Sequence, residues 1–111
     1  MEPFEVSVRS GDGAVVLNLR GEFDLSAADT LRTCLQGAIA SAVGPLVIDL
    51  HEVTFIDASG IAALLRARRT LVDQRREHRL EHTESIRHVF ELADLTDLLD
   101  DIAEPSRYSR N

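Results

Sequence analysis

Phe4, Val6 and Val8 alternate with Glu5, Ser7 and Arg9, the period of two that marks a strand with one buried face. Ser10-Gly11-Asp12-Gly13 is a turn signal, because glycine readily takes the positive φ that tight hairpins need. Ala14-Val15-Val16-Leu17-Asn18-Leu19 follows, apolar on both faces as a strand near the centre of a sheet should be. The chain is thus expected to open with a β-hairpin.

Ser26 and Asp29 then stand three apart ahead of a helical period, a capping box with aspartate in place of glutamate. Ala28, Leu31, Leu35, Ala38, Ile39 and Ala42 fall on one face of that helix, and Gly44-Pro45 ends it. Leu46 to Leu50 is a short apolar run bounded by turn residues, which predicts a buried strand. The stretch from Val53 to Ile56 leads a buried strand region into a second helix after Asp57. Its predicted apolar stripe is Ile61, Leu64, Leu65, Leu71 and Val72. A fourth strand is expected over 78–83, although Leu80 is its only aliphatic residue. Ser85 is placed as the cap of a short helix carrying Ile86, Val89 and Phe90, and Thr96 as the start of another with Leu98, Leu99 and Ile102 inward.

The order β-β-α-β-α-β-α-α contains two β-α-β units, whose crossovers should be right-handed. The expected fold is a single α/β domain over 1–104, with a mixed four- to five-stranded sheet packed by about four helices. A polar, flexible C-terminal tail is expected over 105–111. A chain of 111 residues fits one domain with a modest core, and neither an internal repeat nor a linker divides it.

Charge and composition narrow the function. The net charge is −7 and the pI about 4.9, which disfavours a phosphate backbone as partner and suits a basic one. No run approaches the length of a membrane span, and Met1 to Glu5 is acidic where a leader would be basic. The single cysteine, Cys34, cannot form an internal disulfide and is expected to be a small buried residue. These features give the expectation of a cytoplasmic protein with no membrane insertion and no nucleic-acid partner.

The turn Asp57-Ala58-Ser59-Gly60 is the most informative chemistry. Amides at a helix start lack intrahelical acceptors, and the helix dipole puts partial positive charge there, so an anion or phosphate on a nearby hydroxyl is accommodated. Ala58, Ser59 and Gly60 are small, which leaves room for a visiting chain. Two readings stand at this point: a helix cap and nothing more, or a contact surface.

Gly21-Glu22-Phe23-Asp24, Leu46-Val47-Ile48-Asp49-Leu50, Phe55-Ile56-Asp57-Ala58-Ser59-Gly60 and the late segment from Val89 to Leu95 together resemble the STAS family of anti-sigma factor antagonists. The similarity runs from about Phe4 to Leu99, in the family's order. It implies a single STAS-like domain that binds an anti-sigma factor, itself a GHKL-type serine kinase. Binding frees a sigma factor for transcription, phosphorylation of the antagonist breaks the pair, and a phosphatase resets the switch. The resemblance assigns the partner-binding surface to Glu22, Asp24, Asp57, Ala58, Ser59, Gly60 and Ile61. Phosphorylated members carry Asp-Ser-Ser-Gly or Asp-Ser-Thr-Gly, and the first hydroxyl takes the phosphate. That position is Ala58 here, so Ser59 is the remaining phosphoacceptor candidate. The alternative is a STAS scaffold that is not phosphorylated, serving a stressosome-like complex or a lipid transporter. The chain is expected to be a monomer or weak dimer.

Other candidate chemistry reads as structural. The arginines from Arg66 to Arg79 are expected on a solvated face, with Asp73 and Glu77 pairing with Arg69 and Arg76. His78 and His82 are four apart, which would suit a shared metal on a helix, but they are read as surface histidines. His51 is placed after a strand and His88 on a helix, outside any recognisable constellation. Neither a Gly-x-Ser-x-Gly elbow, a Walker loop nor a dinucleotide fingerprint is present, so catalytic residues, metal ligands and cofactors are all assigned as none, and the chain is read as not an enzyme.

Overall fold

The computed structural model describes residues 3–41 and 43–94. Strands β1 (Glu5–Gly11) and β2 (Ala14–Phe23) form the expected hairpin, closed by Asp12 and Gly13 at φ of 53° and 76°. Positive φ at both turn positions gives the twist that the flanking strands require. A single 3-10 turn (Leu25–Ala27) leads into α1 (Ala28–Ser41), and then come β3 (Leu46–Ile56), α2 (Ala58–Asp73), β4 (His78–Glu81) and α3 (Glu84–Leu92). The sheet order is β1-β2-β3-β4, antiparallel between β1 and β2 and parallel elsewhere. This is the mixed sheet with two β-α-β units that the pattern predicts. The described residues contain four strands and three helices; the helix expected from Thr96, the tail over 105–111 and Ala42 lie outside them.

Helices cover one face of the sheet. Val15, Leu17 and Leu19 of β2 and Leu46, Ile48 and Leu50 of β3 share one cluster with Leu31 and Leu35 of α1, Leu64 and Leu71 of α2, and Ile86 and Phe90 of α3. The opposite face carries the alternate residues. Arg20 stands between Glu5 and Glu52 at 3.8 Å from each, Asn18 reaches Glu52 at 3.5 Å, and Asp49 registers against both Asn18 and Glu81. Val47 is buried on that polar face without joining the core cluster.

Several local expectations are corrected. Strand β3 does not stop at Leu50 but continues to Ile56 through two register shifts against β2, so His51 lies within it and not after it. The cap before α1 is Asp24, which takes the Ser26 amide; Ser26 serves that cap by donating its own hydroxyl to Asp24. Thr83, not Ser85, caps α3 by accepting from the Ile86 amide at 3.2 Å. On α2 the buried face is Gly60, Ile61, Ala63, Leu64, Ala67 and Leu71, while Leu65 and Val72 are 40% and 50% exposed. Small residues at 60, 63 and 67 let the helix rotate closer to the sheet, which turns Leu65 and Val72 outward. Cys34 is half-buried against the core.

Gly60 makes this close approach possible. A Cβ there would stand 2.4 Å from the Phe23 carbonyl oxygen and 2.8 Å from Ile56 Cγ1. Gly37, on the exposed side of α1, would place a Cβ in open space. Two chemically identical substitutions should therefore have opposite signs. Gly37→Ala is expected to stabilise by about 0.5–1 kcal/mol through helix propensity, and Gly60→Ala to destabilise by about 2 kcal/mol or more through overpacking. Urea unfolding of both variants measures the difference.

Candidate functional site

Two neighbouring parallel strands end together, and each ends in the same device. Phe23 of β2 registers against Ile56 of β3, so Asp24 and Asp57 occupy the next position on each. Both are extended, Asp24 at φ −125°, ψ −163° and Asp57 at φ −116°, ψ −172°. The Asp24 carboxylate accepts from the Ser26 amide at 3.0 Å and the Ser26 hydroxyl at 2.7 Å. The Asp57 carboxylate accepts from the Gly60 amide at 3.0 Å, while its carbonyl accepts the Ile61 amide at 3.0 Å. The Asp57 amide in turn donates to the Phe23 carbonyl at 3.3 Å, joining the two strand ends. The carboxyl ends of parallel strands are where open α/β sheets place their ligands.

The geometry separates the predicted site residues into two groups. Ala58 is exposed, and Glu22, Asp24, Asp57 and Ser59 are half-buried, so all five reach solvent. Gly60 and Ile61 are buried, and Gly60 is packed so closely on the Phe23 carbonyl and Ile56 that its lack of a side chain serves internal packing. Ser59 is the second residue of α2, after the Asp57 cap, where its amide has no intrahelical acceptor.

Two exposed apolar side chains flank this surface, and sequence reasoning did not assign them to it. Leu25, directly after Asp24, is 74% exposed, and Phe55, directly before Ile56, is 51% exposed. Large apolar groups beside fixed polar ones are characteristic of protein-binding surfaces. The available signal for Phe55 was its place in a strand whose alternation breaks: buried Val53 and Ile56 leave both Thr54 and Phe55 outside. Further along α2, Leu65 and Val72 share a groove of about 460 Å³ with Arg66 and Arg69.

The remaining candidates are engaged structurally. Arg76 lies beyond the end of α2, so it does not pair at helical spacing with Glu77; its guanidinium reaches the carbonyls of Gly44 at 2.6 Å and Ile39 at 3.4 Å. It ties the end of α1 to the exit of α2. His78 and His82 contact the carbonyls of Arg76 and Thr83, at 2.7 and 3.2 Å. His78 is on an extended strand, where residues four apart are separated by roughly 13 Å and do not share a helical face. His88 lies on α3, 3.5 Å from Glu91.

The mixed four-stranded sheet and its aspartate-capped strand ends define a small α/β domain of one sheet covered by helices. The chain belongs to the STAS domain family: residues 6–100 match the family described as "Mlab, STAS domain". No curated protein matches the sequence significantly. An anti-sigma factor antagonist from Mycobacterium paratuberculosis superposes with a TM-score of 0.66 at 23% identity, over 90% of this chain and 94% of that one. The unphosphorylated anti-sigma factor antagonist SpoIIAA gives 0.63 at 26% identity, over 86% of this chain and 84% of that one. The SpoIIAA of Bacillus matches in its phosphorylated form too. A sulfate transporter family protein from Wolinella succinogenes gives 0.66 at 18% identity, over 84% of this chain and 76% of that one. Among the described residues, no helix is long and apolar enough to cross a membrane.

Asp57 is expected to matter to stability before any partner arrives. Replacing it with Ala should cost about 1 kcal/mol in thermal or urea unfolding, and Asp57→Ser should recover most of that, since a hydroxyl also accepts at a cap.

Proposed function

We propose that this chain is an anti-sigma factor antagonist: it binds a serine-kinase anti-sigma factor of the GHKL type, frees a sigma factor and so regulates transcription from the cytoplasm. The observation that carries this reading is the pair of aspartate-capped strand ends, Asp24 and Asp57, side by side with exposed Leu25 and Phe55. The 26% identity to SpoIIAA across most of both chains supports it. Glu22, Asp24, Asp57, Ala58 and Ser59 form the polar part of the contact, and the chain acts by binding, with no chemistry of its own.

Ser59 is the proposed phosphoacceptor and the point of control. A phosphate adds about −1.5 to −2 charges at neutral pH. On Ser59 those charges would join Asp57 and Asp24 on a surface that a partner must desolvate. A loss of about 3 kcal/mol weakens a complex roughly a hundredfold, within reach of local repulsion and steric conflict. The first turn of α2 would meanwhile hold the phosphate through its amides, leaving the fold intact. A phosphatase would then restore binding.

One observation favours a second reading. Ala58 stands where the family resemblance places the phosphoacceptor, and Ser59 is only half-exposed. A STAS scaffold of a stressosome-like complex or a lipid transporter would need the same surface without the hydroxyl.

Affinity capture followed by mass spectrometry separates the two: a GHKL-type kinase supports the first reading, and transporter subunits support the second. Incubation of the chain with ATP and the captured kinase should add one phosphate, absent from Ser59→Ala. Ser59→Asp should weaken the complex by at least tenfold. Ala58→Ser should gain phosphate at position 58, and its failure to do so would argue against the kinase partnership.

A further inference from the structure

We propose that Asp49, His51 and Glu81, on the sheet face away from the helices, form a site for a single divalent zinc ion that clamps β4 to β3. One donor atom from each side chain converges, all within 4.8 Å of one another among the described residues. The convergence follows from the strands. Asp49 and His51 are two apart on β3, where the register against β2 shifts between Asp49 and Glu52, and their side chains meet at 2.6 Å; Asp49 registers against Glu81 on the parallel strand β4. Two carboxylates directly opposite each other repel and weaken a sheet. The Arg79 guanidinium, 2.7 Å from Glu81 Oε2, offsets one of these charges, and a cation between the strands would offset both.

The cluster differs from a patch of surface acids by its imidazole. His51 Nδ1 lies 2.6 Å from Asp49 Oδ1, which also accepts the His51 amide at 2.9 Å. A cation bound between imidazole and carboxylate would take the place of their hydrogen bond. One nitrogen and carboxylate oxygens form a donor set suited to zinc in preference to calcium or magnesium, with water completing the shell. Tetrahedral zinc with ligand distances of about 2.0–2.2 Å sets its donors roughly 3.4 Å apart, so the wider separations among the three must close while His51 Nδ1 and Asp49 Oδ1, now 2.6 Å apart, must open. His51 and Glu81 can do so by small rotations, because their side chains are 51% and 36% exposed. Arg79 can keep one Glu81 oxygen while the other meets the metal, the usual division between outer and inner partners. A cleft of about 550 Å³ lined by Asp49, Arg79 and Glu81 gives an entry path.

The clamp would act where the fold is thinnest. β4 has four residues and one buried side chain, Leu80, and among the described residues it pairs with β3 alone. Binding to the folded state alone must raise stability by mass action.

The test uses untagged, chelator-treated protein titrated with zinc sulfate at neutral pH. The expected result is one zinc per chain by calorimetry, a melting temperature raised by roughly 4 °C or more at saturation, and slower amide exchange at Leu80. His51→Ala and Glu81→Gln should each weaken binding more than tenfold and abolish the shift, while circular dichroism of the metal-free variants matches the parent. His88→Ala should change nothing. Absence of zinc uptake by the parent, or equal uptake after His51→Ala, would overturn the assignment.

Discussion

The start of α2 is pressed against the end of β2, and the rest of the domain is arranged around that contact. Gly60 lies where a single methyl group would collide with the Phe23 carbonyl, and the Asp57 amide donates to that same carbonyl. The last backbone carbonyl of β2 thereby satisfies an amide at the β3–α2 junction. The helix cannot slide outward without losing that bond and exposing Ile61 and Leu64, which the core buries. Because the helix start is held from below, Ala58 and Ser59 are presented from above at a fixed height. A binding surface built on backbone contacts of this kind loses little entropy when a partner arrives.

The sheet divides its faces by purpose. One carries the core from all three described helices; the other carries charged and polar side chains in cross-strand pairs. The proposed partner surface occupies neither face but the edge where β2 and β3 terminate. The proposed zinc site lies lower on β3, on the polar face, so the two proposed sites would use different surfaces of one strand. Surface pairs such as Arg20 with Glu5 and Glu52 add little stability individually; their value is in keeping that face soluble and the strand order unambiguous.

The fold was legible because its periodicities are clean. The alternation of β1, the apolar run of β2 and the helical stripe of α1 each have one physical solution, and the quoted motifs placed the turn at Asp57 correctly. What escaped depended on tertiary contacts. Ser26 and Ser85 looked like caps, since serine is a good one. Asp24 and Thr83 take those roles because the incoming strand direction brings their oxygens to the amides first. Leu65 and Val72 were assigned inward because leucine and valine outrank alanine in hydrophobicity. The helix packs on Gly60, Ala63 and Ala67 together with Ile61, Leu64 and Leu71, and that face leaves Leu65 and Val72 outside. Within the site, the exposure of Phe55 and Leu25 and the burial of Gly60 and Ile61 could be read only once the strand ends were in place. The convergence of Asp49 with Glu81 needed the β3–β4 register, which spans residues 32 apart in the chain.

The central claim is that the twin-capped strand ends are the surface a partner covers. Hydrogen-exchange mass spectrometry of the chain alone and in the complex it forms with its captured partner tests this directly. The account predicts new protection confined to about 22–26 and 54–62, with the β1–β2 hairpin turn and the polar sheet face unchanged. Protection concentrated on the polar sheet face or the hairpin turn, with exchange at Ser59 unaltered, would contradict it.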